Sequence, residues 1–122
     1  MDGGYGQLQE FIWLIVSSQV YFTAKMSVFT LKEIQQKLEL FQANWKHQEQ
    51  ELILFLKFSS YQKTLDFVND VAKIAIAQNH HPSMQVDYCK ITLKLTTHDS
   101  GALSQKDFTL AKAIDDLLLQ RS

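Results

Sequence analysis

The spacing of apolar residues divides the chain beyond Phe29 into alternating helical and extended segments. Leu31, Ile34, Leu38 and Phe41 recur at helical intervals. Ahead of them Thr30-Leu31-Lys32-Glu33 is a capping box: the threonine oxygen can accept from the Glu33 amide while Glu33 reaches back. The pattern predicts an amphipathic helix over 31–42, with Asn44 suited to the stop beyond it. From Trp45 to Phe58 the period shortens to two, and the segment reads as a hairpin. Leu52, Leu54, Leu56 and Phe58 share one face of its second strand; Ile53 and Phe55 lie on the other. A strand apolar on both sides is central in a covered sheet or is covered by a second subunit.

Ser59 or Ser60 can cap the next helix, in which Tyr61, Leu65, Val68, Ala72 and Ile76 form a stripe widened by Phe67, Val71 and Ile74. Pro82 disfavours helical geometry at His81, so this helix ends near His80. Met84–Tyr88 and Ile91–His98 alternate as strands around a tight turn at Cys89-Lys90, with Ile91, Leu93 and Leu95 toward the core. Ser104-Gln105-Lys106-Asp107 resembles a second cap, with Asp in place of Glu or Gln. Phe108, Ala111, Ile114 and Leu118 then mark a last helix to about Gln120. The order helix-strand-strand-helix-strand-strand-helix predicts an α+β fold: a four-stranded, antiparallel-rich sheet with helices on one face.

Length and composition sharpen this picture. With 122 residues, 46% hydrophobic and 20% charged, the chain has material for one core. The division expected is an N-terminal extension over 1–29, whose order the sequence does not define, and one domain over 30–122. Glu10 to Phe22 is apolar but interrupted by Ser17, Ser18 and Gln19, and is too short to span a membrane. It has no basic residue ahead of it, so it makes a poor secretory signal. It reads as an extra strand, an unordered extension, or a leader upstream of a start at Met26. A net charge of −1 with no Lys/Arg run gives no expectation of direct nucleic-acid binding. The single Cys89 cannot form an internal disulfide, which favours a reducing, cytoplasmic compartment. Cys89 and Tyr88 read as turn and packing residues, and His47 as a solvated one.

Three of the four histidines lie between Ala77 and Asp99: the pair His80-His81, fixed by Pro82, and His98 beside Asp99. One reading is a metal site, although adjacent histidines diverge and no HExxH or paired-Cys motif accompanies them. A second is polar chain ends, with imidazoles favoured at a helix C-terminus. A third is acid–base chemistry, since imidazole exchanges protons near neutral pH and a hairpin from Ser83 to Thr97 returns His98 toward His80.

The ordered set His80-His81-Pro82, Tyr88, His98 and Asp107 resembles the pterin-4a-carbinolamine dehydratases, and the likeness extends through Phe67–Ala75 and Trp45 to Leu31–Leu38, roughly residues 30–120. The resemblance implies removal of water from a 4a-hydroxytetrahydropterin to give quinonoid dihydropterin, in the recycling of tetrahydrobiopterin. It implies no metal and no organic cofactor. His80, His81 and His98 match the family's active-site histidines, with His80 and His98 as the proton-transfer pair and His81 holding the pterin. Asn79, His80, His81, Pro82, Thr96, Thr97, His98 and Asp99 would line the pocket. Asp107 is expected as a helix-start residue. Many members carry an acidic residue one helical turn before the first histidine; here that position is Ile76, which leaves His80 without that orienting group and predicts slower catalysis. Homodimers or homotetramers are expected, and the rival function is a non-catalytic interaction module that uses a surface, not the pocket, to bind a protein partner.

Overall fold

The computed structural model describes residues 29–121, so the readings of Glu10–Phe22 and Met26 fall outside the described residues. The capping box at Thr30 is present: its Oγ1 accepts from the Glu33 amide at 3.1 Å, and the Glu33 carboxylate accepts from the Thr30 amide at 2.8 Å. It starts helix α1, Leu31–Leu38. This helix ends short of the expected residue 42, and a buried carboxylate explains where the chain goes instead. Asp115, 2% exposed, accepts from the amides of Gln42 and Ala43, each at 2.8 Å. Amides satisfied by a charged acceptor have no need of another helical turn.

Strands β1 (Lys46–Gln48) and β2 (Glu51–Lys57) form the expected hairpin. Helix α2 (Tyr61–Gln78) follows, capped by Ser60, whose hydroxyl accepts from the Lys63 amide at 3.1 Å. Strands β3 (Ser83–Asp87) and β4 (Lys90–Leu95) precede helix α3 (Gln105–Arg121). The four strands are antiparallel in the order β1-β2-β4-β3, so β2 and β4 are central and β3 is an edge. The α+β fold and its element order are those the periodicity predicts.

Two local readings are corrected. Asp87 pairs with Lys90, so the β3–β4 turn is Tyr88-Cys89, one residue earlier than expected, with Tyr88 at φ 54°. An aromatic residue in the left-handed region is uncommon, and sequence propensity gives no warning of it. The second correction concerns α2. Its core face is Thr64, Phe67, Val71 and Ala75, so Phe67 and Val71, read as widening the stripe, lie at its centre, while Tyr61 and Ile76, read as its ends, are 49% and 72% exposed. Both stripes have helical spacing, and they lie side by side, so periodicity alone could not say which one meets the sheet.

The core joins Leu52, Leu54, Ile91, Leu93 and Leu95 of the sheet to Ile34, Phe67, Val71, Phe108, Leu110 and Ile114 of the helices. Phe67 is fully buried, with Phe58 tilted against it at 5.1 Å between ring centroids. Replacing Asp115 with Ala is expected to lower unfolding free energy by about 3 kcal/mol, because two amides lose a charged acceptor. Urea unfolding measures it; Asp115→Asn, which keeps one acceptor oxygen, should fall between.

Candidate active site

The C-terminus of α2 sets the first histidine. Asn79 adopts the left-handed conformation, φ 52° and ψ 43°. Its amide donates to the Ile76 carbonyl at 3.2 Å, and the His80 amide donates to the Ala75 carbonyl at 3.1 Å. This is a Schellman closure, with Asn in the position that glycine often takes. It satisfies the last helical carbonyls and swings His80 off the helix axis. Pro82 then carries the chain into β3, so His80 and His81 point differently: the His80 side chain is 11% exposed, whereas His81 is exposed.

The His80 ring meets α3. Its Nε2 lies 2.7 Å from Oδ1 of Asp107, which is fully buried. The other carboxylate oxygen accepts from the Thr97 hydroxyl at 2.7 Å and from the Ser104 amide at 2.9 Å. Thr97 and Ser104 hydroxyls are themselves 2.6 Å apart. Ser104 Oγ accepts from the Lys106 amide at 3.2 Å, so Ser104 caps the helix and Asp107 reaches back to its amide as their spacing suggested, although the hydroxyl takes the Lys106 amide and not that of Asp107. Asp107 therefore does more than open a helix. A carboxylate can only accept, so Nε2 carries the proton and Nδ1 of His80 is the nitrogen left free. Sequence reasoning placed the support for His80 one turn back on α2, at Ile76, and found it missing. The support comes instead from 27 residues downstream, through α3. Ile76 is 72% exposed. His80 thus has a carboxylate partner although position 76 is not acidic.

His98 stands at the start of the β4–α3 loop. Thr97 bridges to Ala102, and the Gly101 amide donates to the carbonyls of Thr97 at 3.0 Å and His98 at 3.3 Å. Gly101 has φ 65°, where a Cβ would be strained, so glycine is what allows the loop to close this tightly. One hollow of about 440 Å³ brings the distant segments together, a size typical of small-molecule sites. Its wall contains all eight residues expected to line a pocket: Asn79, His80, His81, Pro82, Thr96, Thr97, His98 and Asp99. Ser83 and Lys106 complete it and were missed. Lys106, on the first turn of α3, was legible only as a neighbour of Asp107. A larger hollow of about 700 Å³ lies between α1 and β1; His47 is its single histidine, half-buried in β1 and not at a solvated turn. Among the described residues no three His, Cys, Asp or Glu side chains converge as a metal-ligand set. Tyr88 and Cys89 lie in the β3–β4 turn and do not line the histidine hollow.

A family model, pterin 4 alpha carbinolamine dehydratase, matches residues 27–117. The chain is 41% identical over 85 residues to a protein of Picosynechococcus sp. named "Putative pterin-4-alpha-carbinolamine dehydratase", covering 70% of this chain and 91% of that protein. A protein of the same name from Acidobacterium capsulatum is 39% identical over 93 residues, 76% of this chain and all of the relative. Among solved structures, a transcriptional coactivator/pterin dehydratase from Brucella melitensis superposes with a TM-score of 0.69 at 20% identity, covering 73% of this chain and 96% of its own. A pterin dehydratase-like RuBisCO assembly factor of the α-carboxysome gives 0.51 at 18% identity, with 62% and 87% covered. At these identities the structures speak for the fold alone.

The network around Asp107 generates a prediction on tautomers. In ¹⁵N NMR of neutral His80, the Nε2–H form should predominate, and Asp107→Asn should mix the two forms. An Nδ1–H majority in the unaltered protein would overturn the hydrogen-bond assignment. Thr97→Val removes one donor to the buried carboxylate and is expected to cost about 2 kcal/mol in urea unfolding.

Proposed function

The chain belongs to the pterin 4 alpha carbinolamine dehydratase family, and from that we propose that it dehydrates a 4a-hydroxytetrahydropterin to quinonoid dihydropterin and water, as a hydro-lyase in tetrahydrobiopterin recycling. The observation that carries this reading is one shared hollow walled by His80, His81 and His98, with His80 anchored on a buried carboxylate. The 4a-hydroxyl is a poor leaving group until it is protonated, and the N5 proton needs an acceptor as the new double bond forms. Two imidazoles that line one hollow can divide these tasks. Asp107 fixes one tautomer of His80, so that histidine presents the same nitrogen to each substrate. His81, exposed and beside Pro82, holds the heterocycle. The backbone and side chains of Asn79, Thr96, Thr97 and Asp99 shape the pocket around it. The reaction needs no change of oxidation state and no cofactor: a proton and a hydroxide leave as water. Among the described residues no helix is long and apolar enough to cross a membrane, and a cytoplasmic enzyme fits the lone cysteine.

A second reading, an interaction surface, is favoured by the outer stripe of α2. Tyr61 and Ile76 are exposed at the two ends of this stripe, Leu65 and Ala72 between them are half-buried, and Val68 packs against the core. A second copy of the chain is the occupant that best explains it, giving the dimers or tetramers expected from the family; a protein partner is the alternative.

Two measurements test the proposal. Stopped-flow dehydration of 4a-hydroxytetrahydrobiopterin should show turnover that falls by roughly 10²–10⁴-fold in His80→Ala and in His98→Ala, the usual worth of a positioned acid or base. A folded protein without activity, or one whose activity survives both replacements, defeats the enzymatic reading. For the stripe, Ile76→Glu puts an unpaired charge into the supposed contact. Sedimentation should show self-association weakened on the order of a hundredfold, equivalent to about 3 kcal/mol.

A further inference from the structure

Apart from its histidines, the wall of the hollow holds two charged side chains, Asp99 and Lys106. Both are exposed, and among the described residues neither is held in an ion pair. The dehydration gives Lys106 no task. Imidazoles can move the protons, and His80 is already anchored on Asp107. Folding does not account for the lysine either. It stands in the first turn of α3, where the helix dipole disfavours a cation and favours an acid such as Asp107. Its amide donates to Ser104 Oγ, but that is a backbone bond and needs no lysine. What lysine adds at this position is an ammonium on a long stem at the wall of the hollow.

A 4a-hydroxytetrahydropterin ring is uncharged and offers an ammonium no counter-charge. Its C6 substituent springs from the carbon next to N5, so it leaves the bicycle at the end where bonds are made and broken. Lys106 directly precedes Asp107, the residue that holds the His80 ring. The lysine and the first proton-transfer group are thus anchored by consecutive residues of one helix. A ring system of about a dozen heavy atoms leaves room for a tail in a hollow of about 440 Å³. An uncharged tail leaves the ammonium solvated and unused. A phosphate or a carboxylate supplies a charged acceptor for it. Asp99, the single acid in the wall, suits the ring's amino and N–H groups, which donate.

Resting on the dehydratase reading above, we propose that Lys106 sets substrate preference. Among 4a-hydroxytetrahydropterins, the hollow favours those whose C6 substituent ends in an anionic group, a phosphate monoester or a carboxylate. Lys106 binds that tail and takes no part in the proton transfers.

The test compares kcat/KM of the full chain, in stopped flow, for the 4a-hydroxy forms of tetrahydroneopterin and of its terminal phosphate monoester, which differ only in that charge. The 4a-hydroxy form of tetrahydrofolate is the carboxylate arm. The anionic substrate should be preferred about fivefold to tenfold, the worth of one exposed charge pair that gains a hydrogen bond. Lys106→Gln should bring the ratio to about one, Lys106→Arg should restore it and Lys106→Glu should reverse it. Because the lysine is exposed, salt at about 0.5 M should shrink the preference. Ratios taken within one variant cancel any loss of folded protein. Whichever of the phosphate and folate forms exceeds the neutral one identifies the anion. Turnover of all three at equal efficiency overturns the preference and leaves the dehydratase reading standing, and so does a preference that Lys106→Gln leaves intact, which would put the anion on the histidines. Absence of turnover with any of the three defeats both.

Discussion

A single buried carboxylate ties the site together. Asp107 has no contact with solvent, yet it meets three segments that are remote in sequence: the end of α2 through His80, the end of β4 through Thr97, and its own helix start through Ser104. Burying such a group is costly unless its lone pairs are satisfied, and here three donors satisfy it. The same condition that makes the carboxylate tolerable makes the site rigid. If α3 shifted along its axis, it would strand a charge; if the His80 ring turned, it would give up its only charged partner. The geometry of the histidine is thus enforced by the stability of the fold and not by local stiffness of the α2–β3 connection.

Asp115 repeats the device one helical face away. It accepts from two amides just past α1 and so docks the α1–β1 segment on α3. Helix α3 consequently carries two buried acids with different duties, one holding a chain segment and one holding a ring. Its apolar residues, Phe108, Leu110, Ala111 and Ile114, pack between them. The helix serves as the common reference for the hairpin, the α2 terminus and the loop that bears His98.

What could be read in advance follows from the range of each interaction. Caps are local, so Thr30–Glu33 and Ser104–Asp107 were legible from four consecutive letters. The alternation of Ile91, Leu93 and Leu95 was equally plain, because burial on one side imposes a period of two. The pocket wall was legible through motif resemblance combined with a hairpin that returns. Three things were not. The orienting partner of His80 lies far along the chain, and no periodicity connects residue 80 to residue 107. The choice between two adjoining apolar stripes on α2 depends on how the helix rotates against the sheet. Lys106 enters the hollow only because α3 begins there. Each is a tertiary fact, settled by packing and not by propensity.

The two sides of the sheet now carry different arguments. On the helix side, apolar side chains are used up in the core, and the polar groups of the histidine hollow gather at one edge, where β3 and the loop after β4 meet α3. On the outer side, no helix among the described residues covers the central strands. Phe55 is exposed there and lies outside the core, in the row between Ile53 and Lys57. Lys57 and Lys90 stand directly opposite in register, and Asp87, which pairs with Lys90 from β3, offsets their repulsion. The two surfaces thus meet different conditions: one is organised by a buried carboxylate with both oxygens satisfied, the other keeps its charges exposed to solvent.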